Sequence, residues 1–162
     1  MTRLAFVLGL LFIGSATPAQ DAKSKEPRRF GFDYDDLTFA QKTPADAMTS
    51  IAKAIDRKRV DYLLAQMADP NYVDYWVERY KEDYPDKKEL GKRLLAFDRL
   101  VRETSEYFQN DPLIVRDLRV FAKEAKWEEK DDVATGTVES IPARKVFLKK
   151  IGDRWYLKNE QR

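Results

Sequence analysis

The sequence predicts an α+β fold in which N-terminal helices pack on a C-terminal curved antiparallel β-meander. Three observations carry that expectation. A capping residue precedes a proline at Thr43-Pro44, Asp69-Pro70 and Asp111-Pro112. Its side-chain oxygen satisfies a free backbone N–H of the first turn, and proline at the first helical position loses no intrahelical bond. Apolar residues then step by three and four as far as Ala125, and from Trp127 onward the period falls toward two. Helices first and a meander afterwards leave one sheet face for the helices to cover.

Each element follows in order. Pro44 to Asp56 places Ala47, Ile51, Ala54 and Ile55 on one face, with Asp46 in capping-box position behind Thr43. Val60 to Ala68 groups Val60, Leu63, Leu64 and Met67, and Pro70 to Lys81 carries Val73, Trp76, Val77 and Tyr80. Asp86, with Glu89 three residues on, opens the longest helix, whose stripe Leu90, Leu94, Phe97, Val101, Thr104 and Phe108 ends near Asn110. The stripe is expected to pack on the chain's own core, since no other segment offers a coiled-coil partner. From Pro112 to Glu124, Leu118 and Val120 alone would suit a strand, but the Asp-Pro start and Ile114, Leu118, Phe121 and Ala122 favour a helix. Trp127, Val133 to Val138, Lys145 to Ile151 and Trp155 to Leu157 are the strands, and Gly152-Asp153 has the length of a tight hairpin turn.

Residues 1–19 read as an export signal. Arg3 is followed by the apolar run Leu4 to Ile13 and by small residues to Ala19. That run rises about 15 Å as a helix, roughly half of a bilayer core of about 30 Å, so cleavage and no stable membrane span are expected. The chain is thereby expected to be secreted or periplasmic. Residues 20–42 read as a polar linker and an extended arm in which Phe30, Phe32 and Tyr34 alternate with small and acidic residues, and 43–162 as a single α+β domain.

Composition narrows the chemistry. The formal net charge is +2 with both signs interleaved, and the pairs Arg28-Arg29, Lys87-Lys88, Lys92-Arg93 and Lys149-Lys150 have acids nearby, so no nucleic-acid partner is expected. The chain has no cysteine, leaving stability to packing alone. It also has no histidine, which removes histidine-based triads and histidine metal sites.

The Thr-Pro-x-Asp-Ala start at Thr43 to Ala47, the run Leu63-Leu64-Ala65-Gln66-Met67, and the terminal stretch from Val146 through Lys149-Lys150-Ile151-Gly152-Asp153-Arg154-Trp155 to Leu157 together resemble small secreted proteins of the NTF2-like, cystatin-like α+β superfamily. The resemblance covers Thr43 to Asn159. It implies a curved sheet wrapped around helices as a cone, and two copies paired through the open sheet face. It further implies a binding or accessory domain that holds a small apolar ligand between helices and sheet, or an envelope protein on the outer sheet face. The alternatives it implies are an isomerase, cyclase or hydrolase with a carboxylate base, and a purely structural domain whose cone is filled by its own Phe and Trp side chains.

No catalytic residues, cofactor or metal follow from the motifs. Ser50-Ile51-Ala52-Lys53 matches a Ser-x-x-Lys pair, but the partner motifs of that chemistry are missing, and both residues read as the solvent side of their helix. Asp33, Asp35 and Asp36 fail as a calcium loop, because Thr38 and Pro44 stand where Gly and Glu are required. Asp98, the acid nearest to a cone base, reads as solvated. The aromatic group Tyr72, Tyr75, Trp76, Tyr80 and Tyr84 is denser than a core of this size needs. Trp76 and Tyr80 read first as core, and Tyr72, Tyr75 and Tyr84 as the rim of a ligand or partner contact, since tyrosine offers an apolar face with a polar tip.

Overall fold

All three cap-proline pairs open helices. In the computed structural model, which describes residues 28–159, the Thr43 hydroxyl accepts from Asp46 N–H at 3.1 Å and donates to the Asp46 carboxylate at 2.8 Å. The Asp69 carboxylate accepts from Asn71 N–H at 3.0 Å, and Asp111 from Leu113 and Ile114 N–H at 3.1 and 3.3 Å. These bonds begin α1 (Pro44–Asp56), α3 (Pro70–Tyr80) and α5 (Pro112–Glu124). Residues 112–124 are thus helix, as the Asp-Pro start required. The export signal expected at 1–19 and the linker residues 20–27 lie outside the described residues.

Between α1 and α3 the expected helix is present with a different winding. Only α2 (Val60–Tyr62) is α-helical, and Leu63–Met67 continues as a π-turn closed by Ala68 N–H on the Leu63 carbonyl at 2.8 Å. All five residues of the turn are buried, as a segment apolar on every side must be. Its one polar member, Gln66, donates to the Phe32 carbonyl at 2.7 Å.

The long helix starts later than the sequence implies. α4 runs Glu89–Asn110, and Asp86 does not cap it: Lys88 is the boundary residue and no side chain caps it. The chain leaves α3 through a 3-10 turn, Lys81–Asp83, and turns back with Lys87 N–H on the Tyr84 carbonyl. That reversal uses residues 84–88. Glu89 instead accepts from Lys81 Nζ at 2.7 Å. Only Ala96, Phe97 and Leu100 of α4 are buried, while Leu90 stays 71% exposed. The expected stripe therefore meets the core in its middle and runs past it at the N-terminal end.

The strands β1 (Lys126–Lys130), β2 (Val133–Thr137), β3 (Lys145–Ile151) and β4 (Arg154–Leu157) pair antiparallel in sequential order, in an open sheet that does not close on itself. Register places Ala134 opposite Leu148, and Leu148 opposite Leu157. Gly152, at φ +64, makes the two-residue turn between Ile151 and Arg154. The outer edge of β4 is covered: Trp155 N–H donates to the Gln41 carbonyl, Gln41 Nε2 returns a bond to the Trp155 carbonyl, each at 2.9 Å, and Asp69 N–H bonds the Leu157 carbonyl. The β1 edge carries Lys126, Glu128, Glu129 and Lys130, charges that oppose pairing with another strand.

The described part of the arm is not a strand. Phe30 at φ +49 and Gly31 at φ +90 form a tight turn bridged by Arg29 and Phe32, and Phe30 stacks on Phe97 with ring centroids 4.1 Å apart. Phe39 and Gln41 are buried. Ser50 and Lys53, expected on the solvent side, hold this segment down, Ser50 buried and Lys53 half-buried. The Ser50 hydroxyl donates to the Ala40 carbonyl at 2.7 Å and Lys53 Nζ to the Thr38 carbonyl at 2.8 Å. Each is committed to a different carbonyl, so they do not act on one another.

Candidate functional site

α3 presents two neighbouring faces to the rest of the chain. Val73 and Val77, one turn apart, are fully buried. One residue earlier along the same helix, Tyr72, Trp76 and Tyr80 repeat every four residues and are half-buried. The i, i+4 spacing lays them in a row. Trp76 lies edge-on to Tyr72 at 6.5 Å and tilted against Tyr80 at 5.3 Å between ring centroids.

This row forms one wall of a cleft of about 570 Å³ between the helices and the sheet. Leu63 and Leu64 of the π-turn, Leu100, Thr104 and Phe108 of α4, Ile114 and Leu118 of α5, and Phe147 and Leu157 of the sheet complete it. Lys145, at the start of β3, and Lys158, just beyond β4, stand among its lining residues. The volume falls within the range of small-molecule clefts, and the largely apolar lining also includes Glu103, Thr104 and Asn159.

Two polar groups that line the cleft, the Tyr80 hydroxyl and the Glu103 carboxylate, are tied to one another and to Arg99. The Tyr80 hydroxyl donates to Glu103 at 2.6 Å, and Arg99 donates Nε to the other Glu103 oxygen at 2.8 Å while its guanidinium lies 4.2 Å over the Tyr80 ring. Burial, together with the bond to the Glu103 carboxylate, pushes the Tyr80 hydroxyl up to about 12. The Tyr80 and Arg99 bonds hold the Glu103 carboxyl below the usual range, so it stays ionised. Burial also raises the Tyr72 hydroxyl, opposed in part by the Trp76 side chain beside it. The Trp76 Nε1–H is buried and makes no well-formed hydrogen bond, so that proximity falls short of full hydrogen-bond geometry.

The other members of the aromatic group go elsewhere. Tyr75 contacts the Trp76 edge at 5.4 Å but turns toward a polar depression of about 940 Å³ along the outer side of α3. There Asp74 pairs with Arg29 at 3.1 Å and Arg93 at 3.7 Å, Glu78 with Arg93 at 2.9 Å, and Asp83 with Arg99. Asp74, Glu78 and Asp83 are thus matched by arginines, while Arg79 and Glu82 also line the depression. Tyr84, beyond α3, packs against the core and lines neither hollow. Trp76 and Tyr80, expected first as core, are half-buried, pack against the core and also line the cleft, while Val73 and Val77 are fully buried.

No protein-family model, curated protein or solved structure matches this chain. The resemblance to the NTF2-like superfamily thus rests on the residues alone.

Other candidates resolve into structure. Asp98 is exposed, as expected. Asp117, which no pattern singled out, is buried, with one oxygen held by Arg116 and the other by Arg144, each at 2.9 Å. Both oxygens are engaged, so it clamps α5 to the loop before β3. Among the described residues no group of acids could hold a metal ion, and no helix is long and apolar enough to cross a membrane.

Of the three tyrosines read from the sequence as a rim, Tyr72 lines the cleft and Tyr75 and Tyr84 do not, and sequence reasoning missed the residues that face the aromatic row. Thr104, Phe108, Ile114 and Leu118 sit on their predicted stripes, but periodicity does not say that a stripe stops short of its neighbour. Lys145 and Lys158 carried no signal, because only strand pairing sets them beside the cleft.

Proposed function

We propose that this chain is a binding protein that holds a small apolar ligand in the cleft between the Tyr72, Trp76 and Tyr80 row and the sheet. The observation that carries the reading is the cleft itself, about 570 Å³ lined by aromatic and aliphatic side chains from four helical segments and the sheet. Large aromatic faces supply contact area at little conformational cost. In this reading the chain is exported and meets its ligand in the periplasm or outside the cell, as residues 1–19 lead one to expect, and the NTF2-like resemblance accounts for a hollow between helices and sheet.

A carboxylate-based enzyme is the weaker alternative. Such chemistry needs an acid whose pKa is raised by an apolar site. The carboxylate that lines the cleft, Glu103, is shifted the other way by Tyr80 and Arg99.

The test is thermal denaturation of the full chain with increasing decanol, a neutral apolar probe, beside the variant Thr104→Phe, which fills the cleft. Ligand that binds only the folded chain raises its stability, by about 2.7 kcal/mol at a hundred times Kd. Tm is expected to rise with decanol in the wild-type chain and stay constant in Thr104→Phe. An unchanged wild-type Tm, or an equal rise in both, contradicts the reading.

A further inference from the structure

We propose that the sheet face turned away from the core docks on an anionic phospholipid surface through Lys130, Lys145 and Lys149. Strand alternation sorts the side chains of the sheet. Ala134, Val146, Leu148 and Trp155 belong to the buried core. Register sets Lys130 opposite Val133 and Val133 opposite Lys149, with Lys145 four residues earlier on β3, so the three lysines share the other face. Charges that alternate with apolar residues along the chain are thereby gathered on one side.

Lys130 and Lys145 are exposed and Lys149 is half-buried, and none of them forms an ion pair among the described residues. Lys126 is matched by Glu139, and Arg154 and Lys158, on the same face, are engaged by neighbours. Glu128 is the acid that the strands add to this face, while Asp131, Asp132 and Asp153 belong to the hairpin turns at one end and flank it. At the backbone Lys145 and Lys149 stand about 13 Å apart and Lys130 about 10 Å from Lys149, too far for one small anion to bridge all three. The spacing suits an array of anions laid in a plane. All three are lysines, hydrated point charges without the fork by which arginine grips one carboxylate, which suits mobile head groups better than one fixed partner. Ile151, exposed on the same face, can reach the head-group boundary. A second copy is a poor occupant, since the same lysines would face one another. The export expected from residues 1–19 would bring the chain beside such a surface.

The experiment is co-sedimentation of the full chain, at low salt, with phosphatidylcholine vesicles and with vesicles of phosphatidylcholine and phosphatidylglycerol at about three to one. The ratio of the two partition constants reads the charge contribution, because apolar insertion by any other part of the chain is common to both. Each lysine near an anionic surface is expected to strengthen binding about fivefold, so Lys130→Gln, Lys145→Gln, Lys149→Gln together should lower the ratio about a hundredfold. Raising salt should lower it in the wild-type chain, and arginine at the same three positions should preserve it. Removing as much charge elsewhere, in the triple variant Lys87→Gln, Lys88→Gln, Lys92→Gln, should lower it far less. Equal partition of the wild-type chain on the two vesicles, or equal losses in the two glutamine variants, overturns the assignment. Lysine-dependent binding of polyglutamate with no preference for the anionic vesicles overturns it in favour of an acidic polypeptide. None of these outcomes bears on the cleft, whose ligand is tested separately.

Discussion

Trp155 and Trp76 meet the same fold in two ways. Trp155 is 1% exposed, held through its backbone between β3 and Gln41, in a strand that packs on α1 and the π-turn. Trp76 is half-buried, with aromatic neighbours on its own helix and open volume on the far side. The first region is closed: Trp155, Met48, Ile51, Met67 and Leu148 are all but fully buried, together with Ala47, Ala54 and Ala134. The second is walled by rings that border open volume. Both are apolar, so hydrophobicity does not separate core from cleft; how completely neighbouring side chains fill the space does, with almost none of Trp155 exposed and open volume beside Trp76.

The largest expected effect tests that contrast directly. Trp155→Ala should cost about 4 kcal/mol, since a fully buried ring is replaced by a cavity that rigid neighbours cannot fill. Trp76→Ala should cost about half as much, because its ring already borders open space. Urea denaturation of both variants reads the difference, and equal losses would mean that the cleft is packed like the core.

Adding volume should separate the regions in the opposite sense. Ala134→Leu inserts atoms where Ala134 faces Leu148 with no exposed surface, and should cost about 2 kcal/mol through overpacking. Thr104→Phe enters the cleft and should change stability by less than about 0.5 kcal/mol, which is near neutral for an accommodated substitution. A loss in Thr104→Phe as large as in Ala134→Leu would show the cleft to be closed.

Gly136 lies between these extremes. A Cβ there would stand 2.8 Å from Trp127 Cζ3, but Trp127 is half-buried and its ring can slide toward solvent. Gly136→Ala should therefore cost about 1 kcal/mol, less than overpacking at Ala134. A red-shifted tryptophan emission in the variant would report the displaced ring.

The smallest effect concerns the polar tie across the cleft. Tyr80 ionises near 12 in the folded chain against an ordinary value of 10.0. The folded state therefore holds its proton where the unfolded state has lost it, so the contribution is complete below pH 10 and is lost as pH rises toward 12. For Glu103 the sign reverses: its folded value is lowered, so its contribution is present above the ordinary carboxylate range and is lost as pH falls through the folded value. Tyr80→Phe should remove the highest-pH step from the tyrosinate absorbance titration and cost under about 1 kcal/mol, as expected for one part-exposed hydrogen bond.

Much of the fold was legible because local chemistry dictates it. The cap-proline pairs, the Gly152-Asp153 turn and the change of period at Trp127 each act within a few residues. What stayed hidden depends on distant partners. Val73 and Val77 are fully buried while Trp76 beside them is half-buried, a difference set by the distant elements that face α3. The turn at Phe30 is stabilised by stacking on Phe97, far along the chain, and Ser50 and Lys53 are drawn inward by carbonyls of residues that precede their helix. The π-turn left no mark, since Leu-Leu-Ala-Gln-Met is equally at home in an α-helix.

The chain has 3 tryptophans, and their indole N–H groups report on three environments: Trp155 in the closed region, Trp127 over Gly136, and Trp76 on the cleft wall. The most direct test is an amide correlation spectrum of the labelled protein recorded during addition of decanol. A ligand in the cleft is expected to shift the Trp76 indole resonance in a saturable manner and leave those of Trp127 and Trp155 in place. A Trp76 resonance that does not move while the probe binds, or equal movement of all three, would contradict a ligand site on this wall.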